Sequence, residues 1–277
     1  MDESWCSPRQ QVDTSHASSA RLYDTYQGGK SGYGVDRDVA GEVAALLGDT
    51  KRIATSARAF HTRAVRAAAG ELGVDQFLDV GAGVPNEPHT HQVAQAVHPG
   101  AAVVYVDNDL VVLRQSEALL SSGTAGRTDY IQADLRSPDA ILKEARRTLD
   151  LTRPVGLILC SVLHFITDEE DPRSLVRALM APLVPGSCLI LSHGTDDFAP
   201  AAWRAVEDIY RQQGIGTQIR GRAAIEALLD GHDPVEPGLV EVHRWRQDPA
   251  TASADPDDHV HCYGVVAIKS SDADAQR

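Results

Sequence analysis

The sequence is short of positive charge: 26 lysines and arginines stand against 39 aspartates and glutamates, for a formal net charge of −13 at pH 7 over 277 residues. That balance repels a polyanion and leaves no basic stripe, so nucleic acid is disfavoured as a partner and a small or cationic ligand fits better. Cysteine is scarce too. Cys6, Cys160, Cys188 and Cys262 lie far apart, which excludes a zinc knuckle and a redox Cys-x-x-Cys. Cys160 and Cys188 fall inside apolar runs, where a thiol behaves as a small hydrophobe, and reduced thiols in a cytoplasmic protein are expected. No segment is long and apolar enough to cross a bilayer. The stretch 1–19 is polar, carries Asp2, Glu3 and Asp13, and does not read as a signal peptide. Residues 1–19 and 270–277 are expected to be disordered tails.

What is present is periodic. Val39, Val43, Leu46 and Leu47 follow Asp36 at helical spacing and stop at Gly48, and Ile53, Ala57, Phe60, Ala64, Ala68 and Leu72 repeat the pattern up to Gly73. These form a helical extension over residues 20–73. From Gln76 the rhythm becomes short apolar strands, at 76–80, 102–107, 128–132, 155–161 and 187–192, alternating with helices that begin near Pro88, Leu110, Pro138 and Pro172. The fourth and fifth strands are almost uninterrupted apolar runs, as expected where both faces are covered. Helices follow at 200–213 and 222–229. Two last runs, 239–245 and 261–268, flank an Asp- and Pro-rich stretch and predict a hairpin. The expected fold is α/β and Rossmann-like: a mostly parallel seven-stranded sheet closed by a C-terminal β-hairpin, over residues 74–269.

Three strand ends carry polar groups suited to an adenosyl ligand. Phe77-Leu78-Asp79-Val80-Gly81-Ala82-Gly83 runs a strand into two glycines, which let the backbone pass close to a ligand; Asp79 adds negative charge for a cationic one. The dinucleotide fingerprint would place a third glycine where Asn86 stands, so the pyrophosphate cradle is incomplete. The second strand ends Asp107-Asn108-Asp109, where Asp107 can accept from both ribose hydroxyls and Asp109 can cap the next helix. After the third strand, Asp134 can accept from an adenine amine beside the Leu135 backbone. Helix capping is the bland reading of each acid. Ser161, at the end of the fourth strand, completes the expected cofactor contacts.

Several strings resemble one actinobacterial family: Ala20-Arg21-Leu22-Tyr23-Asp24, Gly28-Gly29-Lys30, Asp36-Arg37, the strand from Phe77 to Gly81, Tyr105-Val106-Asp107-Asn108-Asp109, Asp129-Tyr130-Ile131, Ala133-Asp134-Leu135-Arg136 and Leu163-His164-Phe165-Ile166. The family is that of S-adenosylmethionine-dependent methyltransferases once catalogued as a domain of unknown function. The likeness runs from about residue 20 to 268 and implies a Rossmann-like methyltransferase fold and S-adenosylmethionine as cofactor, but no acceptor. One departure is Ser31-Gly32, where more polar residues are expected after Lys30.

Methyl transfer needs a positioned acceptor and, for an acceptor of high pKa, a base. His164, at the end of the fourth strand, is the leading candidate for that base, or a hydrogen-bonded structural residue; Tyr23 and Lys30 follow it. Fourth-strand residues Cys160-Ser161-Val162-Leu163-His164 replace any Asn-Pro-Pro-Tyr-like string, which argues against amino methylation of nucleobases or glutamine and leaves a small-molecule acceptor. His89 and His91, and His259, His261 and Cys262, lack the further ligands that zinc requires. A nicotinamide oxidoreductase and a non-catalytic module sensing S-adenosylmethionine or its demethylated product are the competing classes. Tyr23, Tyr26 and Tyr33, with Gly28, Gly29, Gly32 and Gly34 between and beside them, predict a lid that shields the sulfonium from water.

Overall fold

The computed structural model describes residues 14–109, 112, 115, 125–247 and 258–270. The helix expected near Leu110 and the outer parts of both expected tails lie outside them. Inside them Ala17 is already buried, so the ordered chain begins ahead of residue 20.

Three helices come first: α1 (Ser19–Tyr26), α2 (Gly34–Leu47) and α3 (Thr50–Gly70). The two predicted from periodicity are α2 and α3. Asp36 sits one turn inside α2, accepting from the Tyr33 N–H at 2.7 Å, and Asp49 caps α3 by accepting from the Arg52 N–H at 2.9 Å. The alternating part follows as β1 (Gln76–Val80), α4 (Thr90–Val97), β2 (Ala102–Asp107), β3 (Arg127–Gln132), α5 (Pro138–Ala145), β4 (Gly156–Cys160), α6 (Pro172–Met180), β5 (Cys188–Gly194), α7 (Pro200–Gln212) and α8 (Arg222–Glu226). β6 (His232–Pro234), β7 (Val240–Glu241) and β8 (Cys262–Lys269) complete the sheet.

The strand order is β3-β2-β1-β4-β5-β8-β6, with β7 beside β8. β1 to β5 are parallel and β8 is antiparallel to β5, β6 and β7. Successive side chains of each strand alternate between faces, so the sheet is covered twice. Phe77, Val103, Ile158 and Ile190 pack on α3 and α4, whereas Leu78, Val104, Leu157 and Leu189 pack on α5 and α6. A third cluster, with Leu22, Val39, Val43, Trp203 and Val206, joins α1 and α2 to α7.

The predicted hairpin is corrected in part. The run 239–245 contributes only Val240–Glu241 to the ladder, the short strand at 232–234 was not foreseen, and the sheet has eight strands among the described residues. The cause is Trp245. Its ring is fully buried edge-on to Phe60 at 5.4 Å, and Arg63 of α3 donates to the carbonyls of Val242 and Trp245, which draws the backbone off the ladder after two residues.

Within the extension, one buried ion pair ties α1 to the first turn of α2. Arg21 donates to Asp36 at 2.8 Å with both side chains nearly inaccessible, and Asp36 also accepts from the Ser18 N–H at 2.9 Å. Removing one partner leaves the other charged and buried, so Asp36→Ala should lower the unfolding free energy by about 3 kcal/mol. Denaturant titration of the two proteins checks this; a loss below about 1 kcal/mol would mean that water reaches Arg21.

Candidate active site

The parallel strands part between β1 and β4, because the connections from β1 proceed through β2 and β3 to one side and those from β4 to the other. Such a switch point leaves a crevice beyond the strand ends. Here the two bounding loops nearly touch: a Cβ on Gly81 would lie 2.5 Å from a methyl of Val162. Gly81 and Gly83 have φ of +76° and +66°, a region that favours glycine, and at Gly81 the contact with Val162 also leaves no room for a Cβ.

The crevice holds an open cleft. Gly81, Ala82 and Gly83 form one wall, Asp107 and Asn108 the next, then Asp134, Leu135 and Arg136, and finally Ser161, Val162 and Phe165, with Ser19 and Tyr23 of α1 across it. Nine of the twelve residues nominated from sequence as catalytic or cofactor-binding thus line one cleft; His164, Asp79 and Lys30 do not. Asp107 ends β2 with its carboxylate accepting from the Gly83 N–H and the Asp109 N–H, each at 2.9 Å, and burial raises its pKa. Asp134 is more open. Burial pushes its pKa up, but hydrogen bonds from the Arg136 N–H, Asn108 and the Arg136 guanidinium outweigh this and hold it below the usual value. Arg136 also donates to the Phe165 carbonyl, tying the β3 and β4 loops together.

Asp79 stands apart from that cleft. Strand alternation turns it to the face of Phe77, towards α3 and α4, where it accepts from Thr90 at 2.6 Å while Thr90 hydrogen-bonds the His61 ring at 2.9 Å. It lines a small adjoining cavity with Gly83, Asn86 and His89. Burial raises its pKa to about 6, against opposing contributions from Thr90 and Arg58. The expected direct charge on a ligand in the main cleft is therefore moved to its flank.

Behind the cleft, and sharing Ser19, Tyr23, Ser161 and Phe165 with it, lies a second chamber. α1, α2 and α3 wall it with Tyr26, Val43, Leu47, Ile53, Ala54 and Ala57, and the sheet side with His164, Trp203, Ile219 and His261. Ser161, between the two cavities, has φ of +54°, held by its N–H donating to the Ser192 carbonyl at 3.0 Å. His164 lines the chamber; burial, then His193 and Arg220, push its pKa well down, so its imidazole is neutral at pH 7. Its Nδ1 is buried without a hydrogen-bond partner.

Tyr23 separates cleft from chamber and donates to the Ala54 carbonyl at 3.2 Å. Burial raises its pKa, so it stays protonated and acts as a donor rather than a base. Lys30 is corrected: it is exposed and lines neither cavity, because the Gly28-Gly29 turn folds back on Asp24, which accepts from the Ser31 N–H at 2.8 Å. Tyr33 also lies outside, exposed over the Arg21 guanidinium.

Sequence reasoning missed the support behind His164. Buried Arg220 donates to the carbonyls of Leu163 and Ile166, to Asp168, and at 3.1 Å to His193 Nε2. His193 Nδ1 in turn donates to the Gly194 carbonyl at 2.6 Å, which sets its tautomer; burial lowers its pKa to about 4. Trp203, His261 and Arg220 come from three distant segments, and no local spacing marks them.

This sheet order and crevice define a class I, Rossmann-like methyltransferase fold. A family model described as S-adenosyl methyltransferase matches residues 6–270. A DUF574 family protein from Streptomyces avermitilis is 42% identical, over 94% of this chain and 100% of its own, with a TM-score of 0.90. A protein from Thermobifida fusca is 33% identical, over 95% and 99%, with a TM-score of 0.86. The plantazolicin methyltransferase BamL, 10% identical over 91% and 96% with a TM-score of 0.51, shares the fold alone. No curated protein matches. The chain belongs to the S-adenosyl methyltransferase family: it is an S-adenosylmethionine-dependent methyltransferase. Among the described residues no helix is long and apolar enough to cross a membrane, and no cluster of three metal-ligating side chains occurs.

The raised pKa of Asp79 makes stability depend on pH. Between about pH 4 and 6 the folded chain retains a proton that the unfolded chain has lost, so this contribution is full below that window and lost as pH rises through it. The stability difference between wild type and Asp79→Asn should therefore move by about 2 kcal/mol from pH 4 to pH 7, in favour of the variant at the higher pH. Denaturant titrations across that range test it. A constant difference would place the carboxylate in contact with solvent.

Proposed function

We propose that the cleft holds S-adenosylmethionine and that the adjoining chamber holds a small-molecule acceptor, with His164 as the base between solvent and acceptor. The observation that carries this reading is the adjacency of the two cavities, one lined by acids and glycine backbone and the other by apolar and uncharged polar side chains, meeting at Ser161 and Tyr23. The cleft suits the cofactor on three counts. The Gly81–Gly83 turn offers backbone with no side chain in the way, Asp107 keeps unused acceptor positions for ribose hydroxyls, and Asp134 beside the Leu135 N–H fits the adenine edge. Asn108 and Asp79 flank it, the latter from the side cavity.

Bound there, S-adenosylmethionine supplies an electrophilic methyl carbon whose bond to sulfur breaks with the electron pair leaving on sulfur. The chain's part is to orient and to move a proton. Tyr23 and Ser161 form the passage between the cavities, and the neutral imidazole of His164 takes the acceptor's proton as the new bond forms. Arg220 acts as a positioning residue, since it fastens the backbone on both sides of His164. The α1 segment is the roof that keeps water out: Leu22 is buried, and Ser18 Oγ donates to Asp109 at 2.9 Å across the strand ends. The net charge of −13 supports a small molecule rather than nucleic acid as acceptor, and the free thiols Cys160, Cys188 and Cys262 support a reducing cytoplasm.

Asp107→Ala should weaken S-adenosylhomocysteine binding by about 1–3 kcal/mol, measured by calorimetry. Unchanged affinity would move the ribose elsewhere. His164→Ala should leave that affinity intact while cutting transfer of labelled methyl into the small-molecule fraction of a cell extract by about 100-fold. Undiminished transfer would remove His164 from the chemistry.

A further inference from the structure

The wall of the inner chamber carries information about its occupant. Among the described residues no Asp, Glu, Lys or Arg lines it, and Val43, Leu47, Ile53, Ala57, Phe165 and Trp203 give it apolar walls beside the hydroxyls of Tyr23, Tyr26, Thr50 and Tyr210. An ammonium or a carboxylate entering there would lose its hydration without gaining a counter-charge, which costs several kcal/mol. The chamber is also small, about 80 Å³. An engineered apolar cavity of about 150 Å³ takes benzene, so a single ring is the upper limit for the occupant, and it fits only with part of it extending past Tyr23 and Ser161 toward the adjoining cleft.

Three lining residues nevertheless hold buried polar atoms that have no hydrogen-bond partner among the described residues: His164 Nδ1, His261 Nδ1 and Trp203 Nε1. The Trp203 nitrogen only donates and needs an acceptor. Burial lowers the pKa of both histidines, and a neutral imidazole offers one nitrogen as acceptor. A hydroxyl answers both demands, because it donates one hydrogen bond and accepts two. A bare hydrocarbon answers neither, and an ammonium cannot accept.

We infer that the chamber selects an uncharged, single-ring compound bearing a hydroxyl group. This rests on the reading of the chamber as the acceptor site, and it names the class of acceptor. The small volume limits the occupant to one ring, the apolar lining suits that ring, the absence of charge rejects its ionised relatives, and the unpaired ring nitrogens offer partners to the hydroxyl.

The test uses the full chain and p-cresol as probe, with toluene, benzoate and benzylamine as comparisons, each titrated by ligand-observed NMR with and without S-adenosylhomocysteine. The expected result is saturable p-cresol binding in both conditions, several-fold tighter than toluene and at least tenfold tighter than either charged ring. Ile53→Trp or Leu47→Phe, which fill the chamber from α3 and α2, should abolish p-cresol binding while leaving S-adenosylhomocysteine affinity unchanged, and that affinity reports that the variant is folded. The inference is overturned if either charged ring binds as well as p-cresol, if toluene equals it, if p-cresol fails to bind, or if its binding survives both folded variants. Failure of S-adenosylhomocysteine to bind is a separate result: it sinks the cofactor reading of the cleft, while p-cresol binding without it still decides the chemistry of the chamber.

Discussion

Everything at the functional end of this molecule depends on the parting of the chain between β1 and β4. Parallel neighbours whose crossovers leave in opposite directions cannot cover their shared strand ends, so backbone amides and end-of-strand carboxylates face a crevice instead of a helix. The gap is narrow because Gly81 packs directly on Val162, and no larger residue fits there. That close approach sets the distance from the Gly81–Gly83 turn to Ser161, and so from the cleft to the chamber. The bond from Gly83 to Asp107 adds the second strand to the same frame, and Arg136 adds the third and fourth.

Electrostatics divide the crevice into two environments. On the cleft side the carboxylates of Asp107 and Asp134 are supplied with N–H donors, which suits a ligand rich in hydroxyls and amines. On the chamber side, burial keeps the imidazoles neutral, and Arg220 is consumed by backbone carbonyls and Asp168. The helical extension completes the enclosure: Arg21 and Asp36 tie its first two helices together, and Ser18 on Asp109 and Leu22, Val39 and Val43 against Trp203 and Val206 set it as a wall of both cavities.

The helices α2 and α3, the five parallel strands and the polar residues at the ends of β1, β2 and β3 were legible in the sequence, because each is written in a local pattern: a period of 3.6, a short apolar run, or a glycine turn after a strand. The cleft was legible for the same reason, since strand ends in such a fold converge by topology alone. Even so, alternation along β1 placed Asp79 on the far face of its strand, a consequence of which neighbour covers which side of the sheet. The hairpin was misjudged because the burial of Trp245 against Phe60 overrides strand propensity after Glu241.

By itself, then, the sequence determined the class of fold, the cofactor and most of the cleft, all properties carried by short-range spacing and by resemblance to a known family. Only the tertiary structure decided the chamber. Its walls come from α1, α2, α3, the segment after β4, α7, Ile219 and His261, which are scattered over more than 200 residues and brought together by packing alone. The same distance hid Arg220 and His193 behind His164, and left Lys30 in solvent although it follows a glycine pair that suggested a site. Whether a polar side chain is a ligand, a support or a bystander depends on what surrounds it in three dimensions, and that information is not present in the residues adjacent to it.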